Sequence, residues 1–301
     1  LYVNSKIPKQ FVGYKICQIT DLNNTVLNTE QTVDQLKPDI VIINGNISNT
    51  DGKYDSSVRL INKLAEKYRV FYTLGELDEL NIDLIISSIN GADNIENKRV
   101  DIDAPDIDIV KFVKQFVADI DSEDGQMYLE YITSEIEKSA NSKLELSGLG
   151  LLNDDSDFTE SVVDILNLDS DNLKIVANSQ YKYFNTLSIY NIDLLISSGS
   201  YGIDKDNAGY LKGLYTREAT TMSLSGGIGN FDKTRFLNMP EVVLITLSDG
   251  TIVEQNPLEK FIGQFINNVP TKFDNDEGFK RYVKEYNSEQ VQRDLDRNKV
   301  G

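Results

Sequence analysis

The chain contains no histidine in its 301 residues. Histidine is the commonest metal ligand and the one side chain that titrates near neutrality when unperturbed. Its absence excludes a Ser-His-Asp triad, a Cys-His pair and any His-ligated zinc or di-metal centre. Cysteine is nearly absent too. Cys17 stands alone, so no intramolecular disulfide can form. It lies in the apolar run Tyr14-Lys-Ile-Cys-Gln-Ile19, where a buried strand residue is expected rather than a nucleophile without a base. No apolar run approaches the ~18 residues of a membrane span, so neither a spanning segment nor a signal peptide is expected within these residues. Basic residues are in deficit, 30 Lys and Arg against 48 Asp and Glu, a net charge of −18. That balance disfavours nucleic acid and anionic bilayers, which bind through Lys and Arg. It also disfavours a phosphate ligand unless a cation reverses the local sign.

What is present is a full complement of core-forming residues, 40% of the chain. Short apolar runs alternate with helical patterns. Lys15–Thr20, Asp39–Ile43 and Val70–Thr73 read as buried strands. Between them Thr29–Leu36 and Ser56–Tyr68 read as helices, the second carrying Leu60, Ile61, Leu64 and Tyr68 near 3.6-residue spacing. This is βαβ patterning and implies a parallel sheet. The pattern resumes with strands at Lys143–Leu149, Leu173–Ala177 and Leu194–Ser197. Helical segments at Asp157–Leu166 and Tyr181–Tyr190 separate them, and strands at Met222–Ser225 and Val242–Leu247 close the domain. Two strand-rich halves imply a sandwich of mixed sheets with helices outside. Residues 106–139 read as one or two helices broken near Asp121–Gly125, the first of them the amphipathic stretch 109–116. Residues 251–301 read as a C-terminal helical extension to a domain of residues 1–250.

In parallel sheets chemistry gathers at the carboxyl ends of strands. Those ends carry Thr20-Asp-Leu-Asn-Asn24, Asn44-Gly-Asn-Ile47, Leu74-Gly-Glu-Leu-Asp78, Ala177-Asn-Ser-Gln180 and Ser197-Ser-Gly-Ser-Tyr-Gly202. In this order, and with the flanking words Lys37-Pro-Asp-Ile-Val-Ile-Ile-Asn-Gly45, Asp193-Leu-Leu-Ile-Ser197 and Gly226-Gly-Ile-Gly-Asn230, the chain resembles the calcineurin-like metallophosphoesterases. The likeness is to their membrane-anchored bacterial branch and covers roughly residues 5–248, apart from an insertion near 104–142. That family reads Asp-x-His, Gly-Asp, Gly-Asn-His-Glu, a lone His and Gly-His-x-His at these loops. The resemblance implies an α/β fold, a four-layer αββα sandwich of two mixed β-sheets, with a helical insertion at about 104–142.

The resemblance also implies that the ligand set has been dismantled. Asp21 is kept. Asn23 stands where the first His belongs, and Asn46 where an aspartate would bridge two metals. Glu76 and Leu77 replace the Asn and His of Gly-Asn-His-Glu, with Asp78 in the place of its acid. Ser179 falls at the lone His, and Gly199 and Tyr201 at Gly-His-x-His. Two divalent ions ~3.5–4 Å apart need a shared anion, which a neutral Asn46 cannot supply. No cofactor and no transition-metal pair is therefore expected. Asp21, Glu76 and Asp78 are expected to form an acidic rim that repels phosphate, and Tyr201 to plug the vacated cavity. Asn23, Asn24 and Asn178 are expected to satisfy turn backbone groups. An alternative is one weakly bound Ca²⁺ or Mg²⁺ on the oxygen donors Asp21, Glu76 and Asp78.

The functional expectation is a catalytically inactive phosphoesterase-like module that binds another protein or serves a structural role. The insertion and the C-terminal extension are the candidate partner surfaces. An alternative is a phosphoesterase with residual or altered activity on one hard cation, and a further one is regulation of an active relative. Because that branch places a membrane helix just before the segment matching Tyr2–Phe11, the resemblance implies a membrane-tethered, extracytoplasmic domain anchored upstream of Leu1.

Overall fold

The computed structural model describes residues 1–105, 114, 119–138, 142–152, 160–199, 212–229 and 239–250. All lie in the first of the two units into which the chain divides, Leu1–Val253. The amphipathic stretch 109–116, apart from residue 114, and the extension 251–301 lie outside the described residues.

The described strands are β1 (Tyr2–Val3), β2 (Lys15–Thr20), β3 (Ile40–Asn44), β4 (Arg69–Tyr72), β5 (Asp93–Asn94), β6 (Lys98–Asp103), β7 (Lys143–Gly148), β8 (Leu173–Asn178), β9 (Leu194–Ser197), β10 (Gly213–Arg217), β11 (Thr220–Leu224) and β12 (Val243–Ser248). The α-helices are α1 (Thr29–Leu36), α2 (Asp55–Ala65), α3 (Ile82–Ser88), α4 (Glu123–Lys138), α5 (Glu160–Leu166) and α6 (Phe184–Leu187). The strands form two six-stranded sheets, ordered β1-β12-β2-β3-β4-β5 and β10-β11-β9-β8-β7-β6. Each sheet has four parallel strands: β2 to β5 in the first and β7, β8, β9 and β11 in the second. Antiparallel pairings make both sheets mixed: β12 with β2 in the first, and β6 with β7 and β10 with β11 in the second.

Alternation along the strands sends side chains to two layers of core. Ile16, Ile40, Ile42 and Phe71 of the first sheet meet Leu144, Leu146, Ile175 and Ile196 of the second. Burying each of these contributes about 1.5–3 kcal/mol. The opposite face of the first sheet offers Cys17, Ile19, Val41 and Ile43 to Val33 of α1, Leu60, Ile61 and Leu64 of α2, and Ile85 of α3. The outer face of the second sheet packs Val176 and Leu195 against Val162 and Leu166 of α5 and Phe184 and Leu187 of α6. The result is the expected four-layer αββα sandwich. In the insertion, Ile132 of α4 packs with Val12, Leu129 and Ile136, and the Gln10 side chain donates to the Ile136 carbonyl at 3.0 Å.

Two helical segments depart from their expected form. The helix expected to run to Tyr68 ends at Ala65, where Lys67 and Tyr68 both turn their N–H groups back to the Leu64 carbonyl. The segment Tyr181–Tyr190 is a relay of 3₁₀ turns around the four-residue α6. Among the described residues no helix is long and apolar enough to cross a membrane.

Polar residues stitch the two sheets where the core meets the loops. Gln18 of β2 donates to the carbonyls of Ser197 and Ser223 at 3.0 and 3.1 Å and accepts from the Ser223 hydroxyl at 2.6 Å. Asn44, closing β3, donates to the Ile196 carbonyl at 3.1 Å and accepts from Thr73 at 2.6 Å. These amides span the sandwich and hold the carboxyl ends of β2, β3, β9 and β11 side by side.

Candidate functional site

β2 and β3 run parallel and in register, Thr20 beside Asn44, so their loops leave the sheet at one level. β8 and β9 do the same across the sandwich, Asn178 beside Ser197. Asp21 follows β2 directly. Its φ of 45° is left-handed, and it turns its carboxylate inward, to 1% exposure. Four donors converge on it. Asn46 gives both its backbone N–H, at 3.3 Å, and its side-chain Nδ2, at 3.0 Å, to Oδ1. Ser198 Oγ shares its one hydrogen between the same oxygen at 3.5 Å and the Ser179 carbonyl at 3.1 Å, and the Gly199 N–H donates to Oδ2 at 3.0 Å. The approach demands a glycine at position 45, where a Cβ would sit 2.6 Å from Asp21 Oδ1 and 2.7 Å from Ser198 Oγ.

Asn46 is held at both ends. Its Oδ1 accepts the Leu77 N–H at 2.9 Å while its Nδ2 faces Asp21. The opposite amide orientation would set oxygen against carboxylate and N–H against N–H, so the donors fix the assignment. Gly75 makes this contact possible, since a Cβ there would fall 2.4 Å from Asn46 Oδ1.

Asp78 anchors the third loop. It is fully buried and accepts from the N–H groups of Ile47 (3.1 Å to each oxygen), Ser48 (2.7 Å) and Gly75 (2.9 Å). Burial pushes its carboxyl above the ordinary value, the backbone N–H groups offsetting only part of that effect. Glu96, whose Oε2 accepts the Leu74 N–H at 3.3 Å, is also raised. Burial is the main cause, and the Asp78 charge adds to it against the Leu74 bond. Only Glu76 of the three expected rim acids faces solvent. Gln180 reaches its Oε1 at 3.4 Å and holds the Leu152 backbone at both ends, at 2.7 and 3.1 Å.

The expected acidic rim is thus corrected. Asp21 and Asp78 are turned into the protein by N–H donors, and carboxylates at 1% and 0% exposure present no acidic rim to solvent. Asn23 departs as well. It was expected to serve a turn, yet both atoms of its amide are buried without a partner. Asn24 serves something larger than its own turn, accepting the Ser56 N–H at 2.8 Å at the start of α2. Asn178 does serve its turn, accepting the Gln180 N–H at 3.0 Å and donating to Leu149 and Gly150 carbonyls at 3.5 and 3.4 Å. Ser179 contributes its carbonyl, which accepts from Ser198 Oγ at 3.1 Å. Tyr201 lies outside the described residues.

The donor set does not fit a two-metal centre. The position between two ions would need an anion; here Asn46 aims an N–H at Asp21 instead. Among the described residues no group of three or more His, Cys, Asp or Glu side chains is placed to hold a metal ion, so Asp21, Glu76 and Asp78 do not come together as one cation site. Gln180 and Ser198 lay within loops read from the sequence, but nothing marked them as the residues that grip Glu76 and Asp21. Glu96 had no signal of its own, because it follows a two-residue strand.

No family model matches the chain, and no curated protein matches it. Among solved structures the fold is similar to that of TT1561 of Thermus thermophilus, at 11% identity over 71% of this chain and 89% of that one, TM-score 0.41. It is similar to phosphopantetheinyl hydrolase from Mycobacterium tuberculosis, at 11% identity over 72% and 91%, TM-score 0.39. It is also similar to GAP50, the anchor in the inner membrane complex of Plasmodium, at 10% identity over 77% and 78%, TM-score 0.42. At these identities and TM-scores the likeness carries no argument about activity or partners.

Proposed function

We propose that this chain is a catalytically inactive member of the metallophosphoesterase-like folds, kept as a protein-binding or structural module. One observation carries the reading: the Asp21 carboxylate is buried and already hydrogen-bonded from within at both oxygens. Asn46, Ser198 and Gly199 supply the positive ends that a metal would otherwise supply. A charge-assisted contact of this kind is short and strong, and opening it for an ion would strand buried N–H groups at a cost of about 1–3 kcal/mol each. No histidine exists to make up the lost ligands.

The test is hydrolysis of a chromogenic phosphodiester by the full chain with Mn²⁺, Mg²⁺ or Ca²⁺ added singly, alongside elemental analysis of the purified protein. The expected outcome is no turnover above buffer and no stoichiometric metal. Metal-dependent turnover that disappears in Asp21→Ala overturns the reading.

A further inference from the structure

The loop after β4 does more than close the site. From Val70 to Asn97 the sequence has six acidic residues and no Lys or Arg. Within it Leu80 is 93% exposed, the highest value of any large hydrophobic among the described residues. Leu84 is 55% exposed, and Ile82 and Ile86 are 37% and 38% exposed. Helical geometry explains the split. Ile85 and Ile89 point into the outer core, Ile82 and Ile86 flank that stripe, and Leu84 lies on the far side with Leu80 one turn before it. Glu79 and Asp83, both exposed, stand among them. Exposed apolar pairs, Leu80 with Leu84 and Ile82 with Ile86, thus bracket a stripe of two exposed acids, which is informative in a way that single exposed residues are not.

The face is held firmly. Asp78 is gripped by three backbone N–H groups and Leu77 by Asn46. Asn81 donates to the Gly52 carbonyl at 3.2 Å. The nearby Lys53 is turned to Asp51 at 3.5 Å. The geometry points to the Leu80–Ile86 face as a docking surface for a basic amphipathic helix of another protein. This rests on the reading of the chain as a binding module and names where and what it binds. Charge selects the occupant. A second copy would set Glu79 and Asp83 against their own kind across a two-fold axis, and an anionic bilayer would repel them. A helix with Leu-type anchors rimmed by Lys or Arg fills the apolar face and gives both acids partners.

The test uses the full chain and two dye-labelled synthetic helices of equal length, one of Leu and Lys, the other of Leu and Glu, read by fluorescence anisotropy. The Leu/Lys helix binds and the Leu/Glu helix does not. Leu80→Ser with Leu84→Ser raises Kd by about tenfold or more, and Glu79→Lys with Asp83→Lys reverses the preference between the helices. All four side chains are exposed, so thermal unfolding of both variants matches the parent. Binding that neither variant changes marks adhesion to net charge elsewhere and overturns the proposal. A dimer in light scattering that Leu80→Ser dissolves overturns it in favour of a second copy. Turnover in the phosphodiester assay would sink the inactive reading and leave the peptide result standing. Loss of peptide binding leaves that assay's answer intact.

Discussion

Asp78 and Glu145 are both buried acids, each gripped by three donor residues, yet their carboxyls move in opposite directions. Asp78, beneath the β3 and β4 loops, takes backbone N–H groups from Ile47, Ser48 and Gly75 and is raised, burial outweighing those bonds. Glu145 of β7, on the second sheet, takes Asn167, Ser170 and Asn172 on Oε1 at 2.9, 2.6 and 3.0 Å. Burial is again the largest single influence, but the three donors and the Lys174 charge together outweigh it and hold Glu145 below the ordinary value. Lys174 is the register partner of Glu145 on β8, and its ammonium donates to the Ser170 carbonyl. The difference is a countercharge and a shallower setting. At Asp78 the neighbouring donors do not offset the desolvation of the carboxylate, whereas at the shallower Glu145 donors plus a cation do.

The sharpest way to break this comparison is to build a third nest without a cation. Asn46→Asp sets a second carboxylate about 3 Å from Asp21, where two like charges cannot both ionise. We expect a loss of about 2–4 kcal/mol in urea unfolding at neutral pH. Millimolar Mn²⁺ does not restore it, and the loss shrinks as acid protonates one of the pair. Rescue by Mn²⁺ would show a site still able to open.

Asp78→Asn follows, at about 2–3 kcal/mol, because an amide N–H would face the Gly75 or Ile47 N–H. Glu145→Gln costs about 1–2 kcal/mol, since Gln can keep the accepting Oε1 and place its amide where Oε2 has no partner. Their pH dependences run oppositely. The raised Asp78 makes the parent relatively more stable as pH falls through its folded-state value, so the Asp78→Asn gap widens on acidification. The lowered Glu145 contributes above its unfolded value and loses that contribution as pH falls through its folded value, so the Glu145→Gln gap narrows. Parallel slopes would refute the countercharge account. The smallest effect concerns Cys17, whose thiol burial pushes up to about 12. A thiol reagent at pH 8 should leave it unlabelled until denaturant is added.

Much of this was legible from the chain. β2 and β9 have the bounds expected from their apolar runs, because buried strands leave strong patterns, and α1 also has its expected bounds. β6 was not legible. Its Lys98-Arg-Val-Asp-Ile-Asp103 carries charges on an exposed edge, the chemistry that keeps edge strands from pairing with strangers. β1 and β5 are two residues each, too short to show a period. At the site, residue identity announced that Asn46 cannot bridge metals. It did not announce that Asn46 would donate to Asp21, because that depends on a glycine at 45 and on a backbone N–H at 199. Backbone donors carry no letter in the sequence.

Gln18 and Asn44 have one more consequence. Their amides reach across the sandwich to carbonyls on β9 and β11, so the two sheets are keyed like teeth in a lock. Sliding one sheet past the other by a single residue would orphan all these contacts at once, in a setting too dry for water to replace them. The loops at the strand ends therefore hang from a frame that cannot drift, and their surfaces can change without its halves losing their alignment.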